Sequence, residues 1–146
     1  MKWFLTIFLL SISTLSFGQF QKIFNQSIEI ENEHRIDLFL NGEAKYEAWE
    51  GSFLLVETRV TLYNANENIF KAFVKDGRYL TNVEREETII RLSSNPNLGH
   101  RIRTSAGDTN EDVVFKIYFP KKYKLMENNV LVDPEHPFVL TPKGNQ

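Results

Sequence analysis

The sequence contains no cysteine, so disulfides, thiolate chemistry and cysteine–zinc sites are all unavailable to it. Seven glycines and five prolines in 146 residues are too few for a collagen-like, linker-like or low-complexity chain. Neither sign of charge dominates: 17 Lys and Arg stand against 19 Asp and Glu. That balance lacks the basic stripe by which a nucleic-acid binder grips phosphates, and it predicts no such partner. Histidine is scarce, with His34, His100 and His136 in spacings that match no metal-ligand motif. Long apolar runs are missing too, with one exception at the amino terminus.

That exception is informative. Met1-Lys2 precedes Trp3 to Ile12, apolar except for Thr6 and Ser11, and small residues follow at Ser16 and Gly18. A positive residue, a short apolar core and a small-residue cut site form the layout of an export signal. A membrane-spanning helix needs about 20 apolar residues, more than this core provides. Cleavage is expected after Gly18, leaving Gln19 as the first mature residue, and no lipid-accepting cysteine follows. The reading is therefore an exported protein, periplasmic or extracellular, with no stable membrane anchor once the signal is removed. Losing residues 1–18 removes only Lys2 among the charged residues, so the net charge moves from −2 to −3.

Apolar residues make up 42% of the chain, enough for a packed core, and their period is two. Ser27–Glu31, His34–Leu40, Ala44–Trp49, Phe53–Leu62, Ile89–Leu92, Arg101–Arg103 and Val113–Phe119 all read as strands. Asn41-Gly42 is a tight-turn signal, with Ala44–Trp49 as the return strand of a hairpin. One stretch departs from the period. Between Asn64 and Gly77, the residues Ile69, Phe70, Phe73 and Val74 share a helical face. Asn64 with Glu67 resembles a capping box, and Gly77 suits a left-handed helix end. The fold expected is mainly β, an antiparallel sandwich or rolled sheet with one short helix at about 66–75; a short β-helix-like stack is the alternative. One β-rich domain spans 19–132, followed by an extended or flexible tail over 133–146.

Candidate sites are few. Asp108 to Asp112 alternates oxygen side chains as a calcium loop would, but Val113 and Phe119 stand where a helix–loop–helix site needs Gly and Glu. An acidic hairpin tip is the simpler reading. His100, Ser105 and Asp108 contain the residue types of a hydrolase triad but lack a nucleophile elbow. Glu84, Glu86, Glu87 and Glu111 read as solvated carboxylates, with Arg85-Glu86-Glu87 as a charged turn. Lys121, Lys122 and Lys124 form a small basic cluster. Trp49, Tyr46 and Phe53 are the candidate ligand-binding residues, as a stacking platform for a sugar. No catalytic residue, metal or cofactor is assigned.

Ala48-Trp49-Glu50-Gly51-Ser52, leading into Val56-Glu57-Thr58, resembles a phrase in exported bacterial adhesin-like domains of unknown function, akin to auto-transporter adhesin heads. Val113 to Lys121 is similar to their later strand, which ends in a proline-basic step, and the helix followed by Gly77-Arg78-Tyr79 resembles small exported relatives. The likeness covers about Ile28 to Leu125. It implies a non-enzymatic interaction domain of the cell envelope, with an envelope protein or a glycan as partner and no catalytic residues to carry over. A glycan or small-ligand binding module is the alternative, and a hydrolase comes third.

Overall fold

The computed structural model describes residues 19–99, 101–105 and 107–137; residues 1–18, His100, Ala106 and residues 138–146 lie outside the described residues. Alternation in the sequence becomes strands β1 (Gln19–Ile28), β2 (Arg35–Phe39), β3 (Glu43–Trp49), β4 (Leu54–Tyr63), β5 (Thr81–Glu86), β6 (Ile89–Ser94), β7 (Ile102–Thr104), β8 (Gly107–Pro120), β9 (Lys124–Met126) and β10 (Val130–Val132), with helix α1 (Glu67–Lys75) between β4 and β5. One sheet runs β1-β4-β8-β3, with β7 added to β8; the other runs β5-β6-β2-β10-β9. Val56, Val60, Leu62, Phe115 and Ile117 of the first sheet share a core with Ile36, Leu38, Ile90, Leu92 and Leu131 of the second. The protein is thus mainly β, with a sandwich-like pair of sheets and one helix, rather than a stack.

The sheets are mixed rather than wholly antiparallel, because β2 runs parallel to β6 and β3 parallel to β8. The Asn41-Gly42 turn is the reason. It closes no hairpin but carries the chain from the second sheet to the first, and each flanking strand joins a partner far along the sequence, as parallel pairing requires. Gly42 has φ +147°, and a Cβ there would sit 2.6 Å from the Val113 carbonyl. The turn therefore needs glycine for close backbone approach as much as for its torsion. The Asn41 N–H is satisfied by the buried Ser94 hydroxyl at 2.7 Å.

Three further expectations shift. Asn66, not Asn64, caps α1, its side chain accepting the Ile69 N–H at 2.9 Å. The charged segment Arg85-Glu86 belongs to edge strand β5, so the turn begins only at Glu87. Residues 107–112 are body of β8 rather than a hairpin tip. Gly77 does adopt the left-handed conformation, φ +67°, and the N–H groups of Gly77 and Arg78 return to Val74 and Phe73 at 3.1 Å each.

Candidate functional site: a lysine-rimmed groove between a strand and the helix

The inward positions of β1 are Phe20, Lys22, Phe24, Gln26 and Ile28, a run in which two polar residues interrupt three apolar ones. Gln26 is consumed structurally. Its amide takes the Thr81 N–H at 3.1 Å and the Thr81 hydroxyl at 2.8 Å, and donates to the Thr81 carbonyl at 3.0 Å. That tie fastens β1 to the start of β5 in the other sheet. Lys22 makes no such tie; its Nζ lies 5.3 Å from the Phe24 ring centroid. It stands at the mouth of a groove of about 430 Å³ lined also by Phe20, Glu67, Phe70, Lys71, Val74 and Lys75.

The groove exists because α1 leans its apolar face on the open end of β1. Phe20 stacks on Phe70 with ring centroids 5.9 Å apart and planes 13° from parallel. Phe70 in turn meets Tyr79 at 6.2 Å, and Tyr79 stacks on Phe24 at 5.5 Å. These aromatic contacts fix the helix height, so the floor between Phe20, Phe70 and Val74 is preformed. Three lysines and one glutamate surround it. Lys71 is paired with Glu67 at 2.8 Å, one helical turn away, and this hydrogen bond and charge hold the Glu67 carboxyl below its ordinary range. The rim keeps an excess of positive charge over an apolar floor. Such a site takes an apolar chain below and an anionic head above.

The expected platform is divided by strand alternation. Trp49 and Phe53 do meet, edge to face at 4.7 Å, and the indole N–H donates to the Phe53 carbonyl at 3.0 Å. Tyr46, three residues before Trp49 on β3, points to the other face and packs against the core. Its hydroxyl is buried without a hydrogen-bond partner, and burial raises its pKa. Gly51 lies flat on the Trp49 ring: a Cβ there would come within 2.5 Å of two indole carbons. Gly51→Ala is therefore expected to cost about 1–3 kcal/mol by displacing the indole. In protein beginning at Gln19, Trp49 is the one tryptophan, so fluorescence-detected urea unfolding reads this site directly. An unchanged midpoint and emission spectrum would contradict the close contact.

The remaining candidates are dispersed over the surface. Asp108 is held by Arg101 and, at 3.9 Å, by Arg103. Ser105 is exposed next to it, and His100 lies outside the described residues. Within Asp108–Asp112 the carboxylates diverge, since Glu111 turns inward to Arg78. Lys121 pairs with Glu50, and Lys122 lies 4.9 Å from the Tyr123 ring centroid and 3.9 Å from Asp133. His34 and His136, whose spacing in the sequence matches no metal-ligand motif, are stacked with ring centroids 4.1 Å apart.

Glu111 is the largest departure from expectation. Its side chain is 3% exposed and that of Arg78 11%, with two guanidinium–carboxylate bonds at 2.6 and 3.0 Å. The Gly99 N–H and the Tyr79 hydroxyl complete the shell at 2.8 and 3.3 Å. Burial, and then the Glu111 charge, push the Tyr79 pKa well up. A second cavity of about 450 Å³ opens here, between Asn41, Leu98 and Asp112. Its Glu111 carboxylate is already committed to the pair, which makes it a poorer ligand site than the lysine-rimmed groove.

Fold and groove together define a two-sheet β protein with a preformed, positively rimmed apolar cleft beside helix α1. Comparison with protein-family models, curated proteins and solved structures returned no significant match. Among the described residues no helix is long and apolar enough to cross a membrane.

Proposed function

We propose that this is an exported, non-enzymatic binding protein that holds an anionic amphiphile, an acyl chain with a carboxylate or phosphate head, in the β1–α1 groove. The observation that carries the proposal is the apolar floor of Phe20, Phe70 and Val74 beneath Lys22, Lys71 and Lys75. Each methylene buried there is worth about 0.8 kcal/mol, so chain length supplies affinity and the lysines select the sign of the head. No serine, threonine or histidine lines the groove, and its glutamate is engaged by Lys71, which favours binding over chemistry. Cleavage after Gly18 would keep Phe20 and Lys22, and with them the β1 side of the groove, in the secreted protein.

The test is calorimetric titration of the mature protein with laurate below its critical micelle concentration, alongside dodecyltrimethylammonium. Saturable 1:1 binding of laurate, and much weaker binding of the cation, is the expected result. Reversing Lys22, Lys71 and Lys75 to glutamate should weaken laurate at least tenfold while thermal unfolding stays cooperative, since all three side chains are exposed. Equal affinity for both amphiphiles, or none for either, would end the proposal.

A second reading, an adhesin-like interaction domain contacting an envelope protein or a glycan, is favoured by one edge of the second sheet. There β9 ends the sheet with Leu125 and Met126 43% and 54% exposed. Among the described residues no strand pairs with this edge, and an edge with apolar side chains is a place where another chain can add a strand.

A further inference from the structure

We propose that the notch where β2 begins and β10 ends is a binding site for a divalent transition-metal ion of the zinc class, ligated by His34, Asp133 and His136. The backbone brings these residues together from opposite ends of the described chain. Antiparallel pairing of β10 with β2 ends at Val132 and Arg35, and the Asp133 N–H then donates to the His34 carbonyl at 2.8 Å. The chain next folds into a tight turn. Asp133 Oδ1 accepts the Glu135 N–H at 3.0 Å, and the Asp133 carbonyl accepts the His136 N–H at 3.1 Å. His136 is thereby laid back over Asp133, so what was expected as the start of an extended tail is an ordered turn around a buried aspartate.

The donor atoms converge. His136 Nδ1 is 3.2 Å and His34 Nδ1 3.9 Å from Asp133 Oδ2, and ligand atoms of the three residues lie within 4.8 Å of one another. Zinc bonds to nitrogen and oxygen of about 2.0–2.1 Å place tetrahedral ligands about 3.3 Å apart, so side-chain rotation alone closes the site. His34 Nδ1 is shielded from solvent and makes no hydrogen bond, an unsatisfied ring nitrogen directed at a carboxylate. The Asp133 carboxyl suits a cation. Its Oδ2 already faces three nitrogen groups, His136 at 3.2 Å and His34 and Lys122 at 3.9 Å each.

The donor set selects the class of ion. Two imidazoles and one carboxylate suit zinc and its neighbours and leave a position open for water or a partner's side chain. Calcium and magnesium would want several more oxygens. Two features oppose loading and can be measured. The imidazole planes are only 10° apart, so their in-plane lone pairs diverge until one ring turns; His136, 56% exposed, is free to do so. Lys122 Nζ, 3.9 Å from Asp133 Oδ2, must withdraw, and its side chain is half exposed.

The test is titration of untagged mature protein with Co²⁺, followed by displacement with Zn²⁺. One saturable site with the visible d–d absorption of tetrahedral cobalt, lost on adding zinc, is expected. His136→Ala, in an exposed side chain, should weaken cobalt binding at least tenfold without changing thermal unfolding of the metal-free protein. His34→Ala should do the same, with circular dichroism confirming its fold. Lys122→Gln should tighten binding about twofold to fivefold, the size of a surface charge contact. No saturable binding, or binding that His136→Ala leaves unchanged, would overturn the assignment.

Discussion

Arg78→Ala is expected to destabilise the protein by about 3–5 kcal/mol, the cost of leaving a buried charge unpaired. The guanidinium joins the Glu111 carboxylate through two bonds and lies 5.0 Å from the Phe73 ring, while the Arg78 backbone N–H closes the end of α1. After truncation, Glu111 retains only the Gly99 N–H and the Tyr79 hydroxyl. Against a typical domain stability of about 5–15 kcal/mol, such a loss is a large displacement of the urea midpoint. The double change Arg78→Met with Glu111→Leu should recover much of it, because apolar residues of similar volume commonly replace buried pairs at little cost. A single-variant loss below about 1 kcal/mol would show the pair to be solvated, as exposed ion pairs are.

Phe115→Ala is the second large effect, again about 3–5 kcal/mol from lost transfer energy and the cavity left behind. Phe115 is 1% exposed, in the middle of the central strand β8, and its ring lies beside Gly42 at the crossing between sheets. The loss should therefore be accompanied by loosening of the Asn41-Gly42 crossover, read as faster amide exchange at Asn41. Phe115→Leu keeps most of the volume and should cost much less. Equal effects of the two changes would place the ring outside the shared core.

Strands with clean alternation are legible in the amino-acid sequence. Phe53–Leu62 covers most of β4 and Val113–Phe119 the second half of β8, the central pair of the first sheet, because their inner faces carry only apolar residues and threonine. Strand β1 is not legible over Gln19–Gln26, since Lys22 and Gln26 take inward positions. Those two residues are the groove rim and the tie between sheets. The polar residues that hide the strand are thus the ones with roles beyond packing. β5 is hidden for a different reason: beyond Thr81 it is exposed throughout, so no face needs apolar residues.

Site chemistry is less legible than the fold. The helical face of Phe70, Phe73 and Val74 is visible in the sequence, yet its partner Phe20 is not, because nothing local says which strand a helix covers. The same limit applies to Arg78 with Glu111 and to His34 with His136. Each pair is made by tertiary folding across long separations, and each member taken alone reads as an ordinary surface residue. Trp49 and Tyr46 fail as one platform on a local rule: an odd spacing along a strand places side chains on opposite faces.

Whether the β1–α1 groove is the binding site is decided most directly by a two-dimensional NMR titration, with laurate, of isotopically labelled protein beginning at Gln19. Saturable shifts are expected at Phe20, Lys22, Phe70, Lys71, Val74 and Lys75, with Trp49 and the β9 edge unmoved. Shifts centred on Leu125 and Met126, or scattered over the surface without saturation, would rule the groove out.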